Sequence, residues 1–168
     1  MTSIYVASLA DYNAGKHHGE NLDLESFGFD YEDVEAEIQL ILKASREPFA
    51  EEWAIHSFDG FKGYQVGESQ PIEEVCAIAE GISEHGEKMA MYLEEDHTRT
   101  PDKFNDHYIG AHKDESEYAQ EYASSSGAEI EGYFAQFIDW QAVGEDLLQD
   151  SEVHSSKEKD VIYVFEVH

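Results

Sequence analysis

The sequence predicts an α+β protein made of three small domains. Strand-like segments of β-branched and aromatic residues alternate with segments of helical period, and glycine-rich turns separate them. With 168 residues the chain is long enough for one ordinary domain or a few very small ones. Apolar residues make up 41% and aromatic residues 12% of the chain, which is too many for a disordered acidic polypeptide. We therefore expect a folded chain.

Residues 1–60 are predicted to form a mixed antiparallel sheet with one helix. Residues 4–8, 21–24 and 53–58 have strand composition, and residues 11–15 have the composition of a turn. Asp30 is a candidate helix N-cap with an acid three residues later, the capping-box spacing. Four apolar residues follow at helical spacing: Val34, Ile38, Ile41 and Leu42.

Residues 61–103 are predicted to form a small helical bundle. Pro71 suits the first turn of a helix, and an apolar face follows it. The residues of that face are Ile72, Val75, Cys76, Ala79 and Ile82. Met89 and Leu93 indicate a second helix after Gly86, and a third is predicted from Pro101 to Gly110.

Residues 104–168 are predicted to form a second α+β domain. Tyr118, Ala119 and Tyr122 indicate a helix over residues 114–124. A further helix is expected to continue from Phe134 towards residues 147–148. Residues 153–155 and 161–167, joined by the polar turn 157–160, predict a C-terminal β-hairpin.

Negative charge extends along the whole chain. Asp and Glu outnumber Lys and Arg by 38 to 10, a formal charge of −28. Eleven carboxylates and no Lys or Arg lie between Lys113 and Lys157. This balance excludes a conventional basic nucleic-acid reader and disfavours docking on anionic membranes. We expect a cytoplasmic protein, because no apolar run is long enough for a membrane span and no signal peptide is visible.

Other candidate sites are weaker. The nine histidines are scattered without metal-ligand spacing, and the single cysteine, Cys76, is expected to be a buried thiol. Asp23, Glu25 and Glu32 have part of the spacing of a calcium loop, although Ser26 occupies the position that needs glycine. No nucleophile or phosphate-loop motif is present, so we expect neither an enzyme nor a cofactor. An acidic divalent-cation-binding module or enzyme remains one alternative.

The distributed charge itself is the most specific signal. Two copies of the chain carry 56 formal negative charges, as many as the phosphates of about 28 base pairs. Carboxylates arrayed along a surface would let such a protein occupy the basic groove of a DNA-binding enzyme. The competing interpretation is a halotolerant acidic partner-binding domain, whose stability would depend on high salt.

Several short motifs occur in order along the chain. The series opens with Tyr5-Val6 and Tyr12-Asn13-x-Gly15-x-x-x-Gly19-x-x-x-Asp23-Leu24. Glu52-Trp53-Ala54-Ile55-His56 then precedes Phe58-Asp59-Gly60. Glu117-Tyr118-Ala119 and Gly127-Ala128 follow, then Ile138-Asp139-Trp140 with Asp146-Leu147, and finally Tyr163-Val164-Phe165. This ordered set resembles the ArdA antirestriction proteins over nearly the whole chain.

The resemblance implies an elongated homodimer of three-domain subunits, encoded by a mobile genetic element, that inhibits type I restriction–modification enzymes. Its partners would be the specificity and methyltransferase subunits, whose DNA path it would occupy without binding nucleic acid itself. The expected phosphate-mimic residues are Glu32, Asp33, Glu35, Glu37, Glu73, Glu74, Asp114, Glu115, Glu117, Glu121, Glu145 and Asp146. The expected dimer contact comprises Phe137, Ile138, Trp140, Ala142, Leu147 and Leu148.

Overall fold

The computed structural model describes residues 1–127, 130 and 132–167, and it is a mixed α+β structure. The described chain divides into two compact units, Met1–Pro101 and Asp102–His168. The predicted α+β class is confirmed. The division of residues 1–103 into two domains near residue 60 stays a prediction.

The first unit contains a three-stranded antiparallel sheet and four helices. The strands are β1 (Ser3–Ser8), β2 (Gly19–Asp23) and β3 (Trp53–Asp59), in the order β2-β1-β3. The helices are α1 (Leu9–Asn13), α2 (Tyr31–Ala44), α3 (Ile72–His85) and α4 (Glu87–Glu95).

The core of the first unit forms where α2 covers the sheet and contacts α3. Ile4 and Val6 of β1 are fully buried, as are Val34 and Ile38 of α2. The four apolar positions predicted for α2 are all buried, so the predicted helix is confirmed with its inner face. The Ile55 N–H donates to the Glu68 carbonyl at 2.9 Å, which ties the loop after residue 60 to β3.

The second unit contains another three-stranded antiparallel sheet. Its strands are β4 (Tyr108–His112), β5 (Ser151–Ser155) and β6 (Ile162–Glu166), in the order β4-β6-β5. Its helices are α5 (Phe104–His107), α6 (Glu115–Ser125) and α7 (Trp140–Leu147). The predicted hairpin is confirmed as β5 and β6, and Leu148 packs with Ile162 and Val164 in the core.

Three predicted elements differ from the structure. The turn predicted at residues 11–15 begins as α1, because Ser8 caps the Asp11 N–H. The helix predicted from Pro101 to Gly110 ends at His107, where the chain enters β4 and pairs with β6. The helix predicted from Phe134 is a 3₁₀ turn, Tyr133–Phe137, followed by α7, which restarts because Asp139 caps the Ala142 N–H. Ala128, part of one motif, lies outside the described residues.

Candidate functional site

Helix α2 presents a row of carboxylates to solvent. The Asp30 carboxylate accepts hydrogen bonds from the N–H groups of Glu32 at 2.8 Å and Asp33 at 3.3 Å, which anchors the start of the helix. Because the apolar face of α2 is buried, Glu32, Asp33 and Glu35 are exposed and Glu37 is partly exposed. The acids in the first turn also interact favourably with the positive end of the helix dipole.

Helices α2 and α3 are in contact, and acids near their beginnings influence groups on the other helix. The Glu32 carboxylate, followed by that of Glu73 on α3, raises the pKa of the exposed Tyr31 phenol, because both disfavour its anion. Burial raises the pKa of the Cys76 thiol on α3 to about 11, and the Asp30 carboxylate adds to the shift. Acids from two helices therefore share one surface of the first unit. We did not predict Asp30 as part of that surface, because its capping role accounted for it.

A second acidic surface is built by α6 and α7. The Gln141 side-chain amide donates to Glu115 Oε2 at 3.2 Å and to Glu145 Oε1 at 3.0 Å. One neutral amide on α7 thus holds a carboxylate from each helix close to the other. The Asp114 carboxylate caps α6 by accepting the Glu117 N–H at 2.9 Å.

All twelve predicted phosphate-mimic residues are at least partly accessible. Three of them, Glu37, Asp114 and Glu115, are half-buried, and the other nine are exposed. In the first unit they lie on α2 and α3, and in the second on α6, its cap and α7. Six of the twelve therefore lie in each unit, on two helices or at a helix cap.

The residues predicted for a dimer contact divide between surface and core. Phe137 is 65% exposed and Ala142 is also exposed, whereas Ile138, Trp140 and Leu147 are half-buried. Leu148 is 7% exposed and belongs to the core of the second unit. Tyr133, which we did not predict, is 70% exposed and packs edge-to-face on Phe137 at 5.2 Å. An apolar surface around Phe137 is consequently open to solvent.

A comparison with protein families shows the family of the chain. The family model described as antirestriction protein (ArdA) matches residues 4–159 of the 168-residue chain. The chain belongs to the ArdA family. The resemblance read from the short motifs is therefore confirmed. A comparison with curated proteins gives no match.

Membership in the ArdA family makes this chain an antirestriction protein, and such proteins are inhibitors rather than enzymes. Within the part of the chain that the structure describes, no helix is long and apolar enough to span a membrane.

The calcium-loop alternative receives no support from side-chain placement in this ArdA protein. The Asp23 carboxylate accepts the Glu25 N–H at 3.2 Å within a turn, and Glu25 pairs with the terminal amine of Met1 at 2.6 Å. Glu32 instead accepts the Tyr31 hydroxyl at 3.5 Å. Among the described residues, these three carboxylates do not form a ligand cluster.

Proposed function

We propose that this ArdA protein inhibits type I restriction–modification enzymes as a DNA mimic. It would occupy the DNA-binding groove of the specificity and methyltransferase subunits, with its carboxylates in the place of phosphates. The observation that carries the proposal is the pairing of acids from neighbouring helices, above all Glu115 and Glu145 around Gln141. Such a pair brings two negative charges close together, as neighbouring phosphates do in DNA.

Charge neutralisation would drive this binding. A DNA-binding groove lined with Lys and Arg is electropositive. Neutralisation of these charges by bound anions, such as DNA phosphates, lowers the electrostatic free energy. The acids of α2 and α3 supply one such surface, and those of α6 and α7 supply another. Because the interaction is distributed, many carboxylates would each contribute a little. Binding should weaken as salt increases.

We also propose that the functional form is an elongated homodimer. The exposed aromatic pair Tyr133 and Phe137, together with the accessible Ala142, supplies apolar area that could pack across a two-fold axis. Small-angle scattering tests the shape, since a compact 168-residue globule has a radius of gyration of about 15 Å. A compact dimer of two such chains would have about 20 Å by the same relation, so an elongated dimer must exceed about 20 Å clearly.

Competition for a purified type I methyltransferase tests the mimicry. The enzyme is mixed with labelled duplex DNA and increasing amounts of the protein, over a series of salt concentrations. We expect the protein to displace the duplex competitively, with a potency that falls as salt rises. Inhibition that leaves the duplex bound, or that does not depend on salt, would contradict the proposal.

A further inference from the structure

A buried histidine lies at the end of β4. His112 is 7% exposed, and among the described residues neither ring nitrogen makes a hydrogen bond of normal geometry, although Nδ1 lies within ion-pair distance of the Glu121 carboxylate. Tyr118 packs edge-to-face on the imidazole at 5.1 Å between ring centroids. A Cβ at Gly110 would lie 2.8 Å from His112 Nε2, so glycine at that position leaves room for the ring. Buried polar atoms are nearly always paired, and the contact with Glu121 gives Nδ1 no hydrogen bond of normal geometry, so a ligand shared by the imidazole and that carboxylate would satisfy both groups.

Two carboxylates of α6 face the same histidine. Glu117 and Glu121 are one helical turn apart, so their side chains share a face of the helix. One ring nitrogen of His112 and one oxygen from each carboxylate all lie within 4.8 Å of one another. His112 Nδ1 is 3.1 Å from Glu121 Oε2. The Lys113 N–H donates to Glu117 Oε2 at 2.5 Å, which orients that carboxylate.

We propose that His112, Glu117 and Glu121 bind one divalent transition-metal ion, with zinc as the best chemical match. Zinc takes imidazole nitrogen and carboxylate oxygen ligands at about 2.0–2.2 Å in a tetrahedron, which places two ligand atoms about 3.3 Å apart. The separation of 3.1 Å between Nδ1 and Oε2 is close to that value. An imidazole ligand disfavours calcium and magnesium, which prefer oxygen alone. Water would complete the coordination.

The ion would connect β4 to α6 and offset local repulsion. Both glutamates belong to the stretch between Lys113 and Lys157 that has eleven carboxylates and no Lys or Arg. Neutralising two of these carboxylates would stabilise α6 against the sheet of the second unit. Glu117 and Glu121 are also among the proposed phosphate-mimic residues, but the readouts of the metal site do not use a restriction enzyme, so the two proposals can fail separately.

Metal titration of the full-length protein tests the site. Protein freed of metal by a chelator is titrated with Zn²⁺ against a chromophoric zinc indicator, and with Co²⁺, whose visible absorption reports tetrahedral nitrogen and oxygen ligands. We expect one metal ion to bind tightly per chain. Glu121→Gln should weaken Zn²⁺ binding at least about tenfold. Replacing a residue that only hydrogen-bonds to a metal ligand already lowers metal affinity by about that factor.

Asp150→Asn is the matched control, because it removes one exposed carboxylate of the same unit outside the cluster. It should leave the tight binding of one metal ion unchanged. If the protein bound several Zn²⁺ ions, all of them weakly, and both variants lowered this binding equally, the proposal would be overturned. If Glu121→Gln fails to fold, the imidazole ¹⁵N resonances of His112 in the unmodified protein decide. They must shift with the first equivalent of Zn²⁺, and their failure to shift would also overturn it.

Discussion

Gly144 on α7 lies directly against the backbone carbonyl of Glu115 on α6. A Cβ at residue 144 would overlap that carbonyl and come within 2.9 Å of the Glu115 Cβ. The two helices approach this closely only because residue 144 has no side chain. Their proximity is what lets Gln141 contact both Glu115 and Glu145. One glycine therefore sets the spacing of the acidic surface in the second unit.

Replacing Gly144 with alanine should destabilise the protein. The added methyl meets rigid backbone, so we expect a loss of about 1–3 kcal/mol or more in the free energy of unfolding, measured by urea denaturation. Gly67→Ala is the control, because its Cβ would have no atom nearer than 3.6 Å. Equal stability of the two variants would show that α6 and α7 are not in close contact.

Blocks of acid substitutions should weaken inhibition progressively, whereas single ones should have little effect. The first block changes Glu32, Asp33, Glu35 and Glu37 to their amides, and the measurement is the competition against duplex DNA. A control block of equal charge changes the exposed acids Glu20, Glu51, Glu52 and Asp59. We expect the control to retain more activity, because its acids lie outside the proposed surface. A single conservative change that abolishes inhibition in a folded protein would refute the distributed model.

The pKa of Tyr31 depends on the negative charges of nearby acids on α2 and α3. Glu32 and then Glu73 raise it, so Glu32→Gln should lower the Tyr31 pKa most and Glu73→Gln should lower it less. NMR of ¹³C-labelled tyrosine resolves this titration. Added salt should reduce the shift, since Tyr31 is exposed. If Glu73→Gln had no effect, the beginnings of α2 and α3 would not be adjacent in solution. Glu84→Gln, near the other end of α3, is the control.

Asp11 should make stability depend on pH. The Ser45 hydroxyl donates to its carboxylate at 2.5 Å and, with the weaker help of Ser8, holds the Asp11 pKa below its ordinary value of about 3.9. A lowered pKa in the folded state stabilises the protein above the ordinary value, and this contribution is lost as pH falls through the folded-state pKa.

Ser45→Ala should therefore raise the Asp11 pKa and lower stability at neutral pH. Guanidinium denaturation at neutral pH and in strong acid measures the difference from the unmodified protein, which should shrink in acid. Ser57→Ala, at an exposed position of β3, is the control. If the stability difference stayed constant over this pH range, the loss would come from removal of the Ser45 hydroxyl itself and not from the change in the Asp11 pKa.

Phe137→Ala should weaken the proposed dimer. Truncating an aromatic residue central to an interface typically costs about 2 kcal/mol or more, which raises the dimer Kd roughly thirtyfold. Sedimentation equilibrium measures that constant. Phe49→Ala is the control, since Phe49 is 88% exposed in the first unit and has no predicted part in the contact. Unchanged dimerisation of Phe137→Ala would place the interface elsewhere.

The elements predicted correctly have strong local signals. Helix α2 has an N-cap at Asp30 and four apolar residues at helical spacing, so its boundary and its inner face follow from neighbouring residues. Strand β4 has no such signal. It is five residues long and follows a helical turn, and it exists because His112 and its neighbours pair with β6, about fifty residues later in the chain. Pairing at that distance cannot be read from local periodicity.

The sign, the amount and the even spread of charge follow from the amino-acid sequence alone, since formal charge is a sum over residues and does not depend on folding. The family also follows from the sequence, through motifs that remain in order along the chain. Which acids become neighbours depends instead on how the helices pack. Glu115 and Glu145 are thirty residues apart, and they meet because a close approach at Gly144 packs α6 against α7. Electrostatic fields depend on distances in space, and packing between distant segments sets those distances.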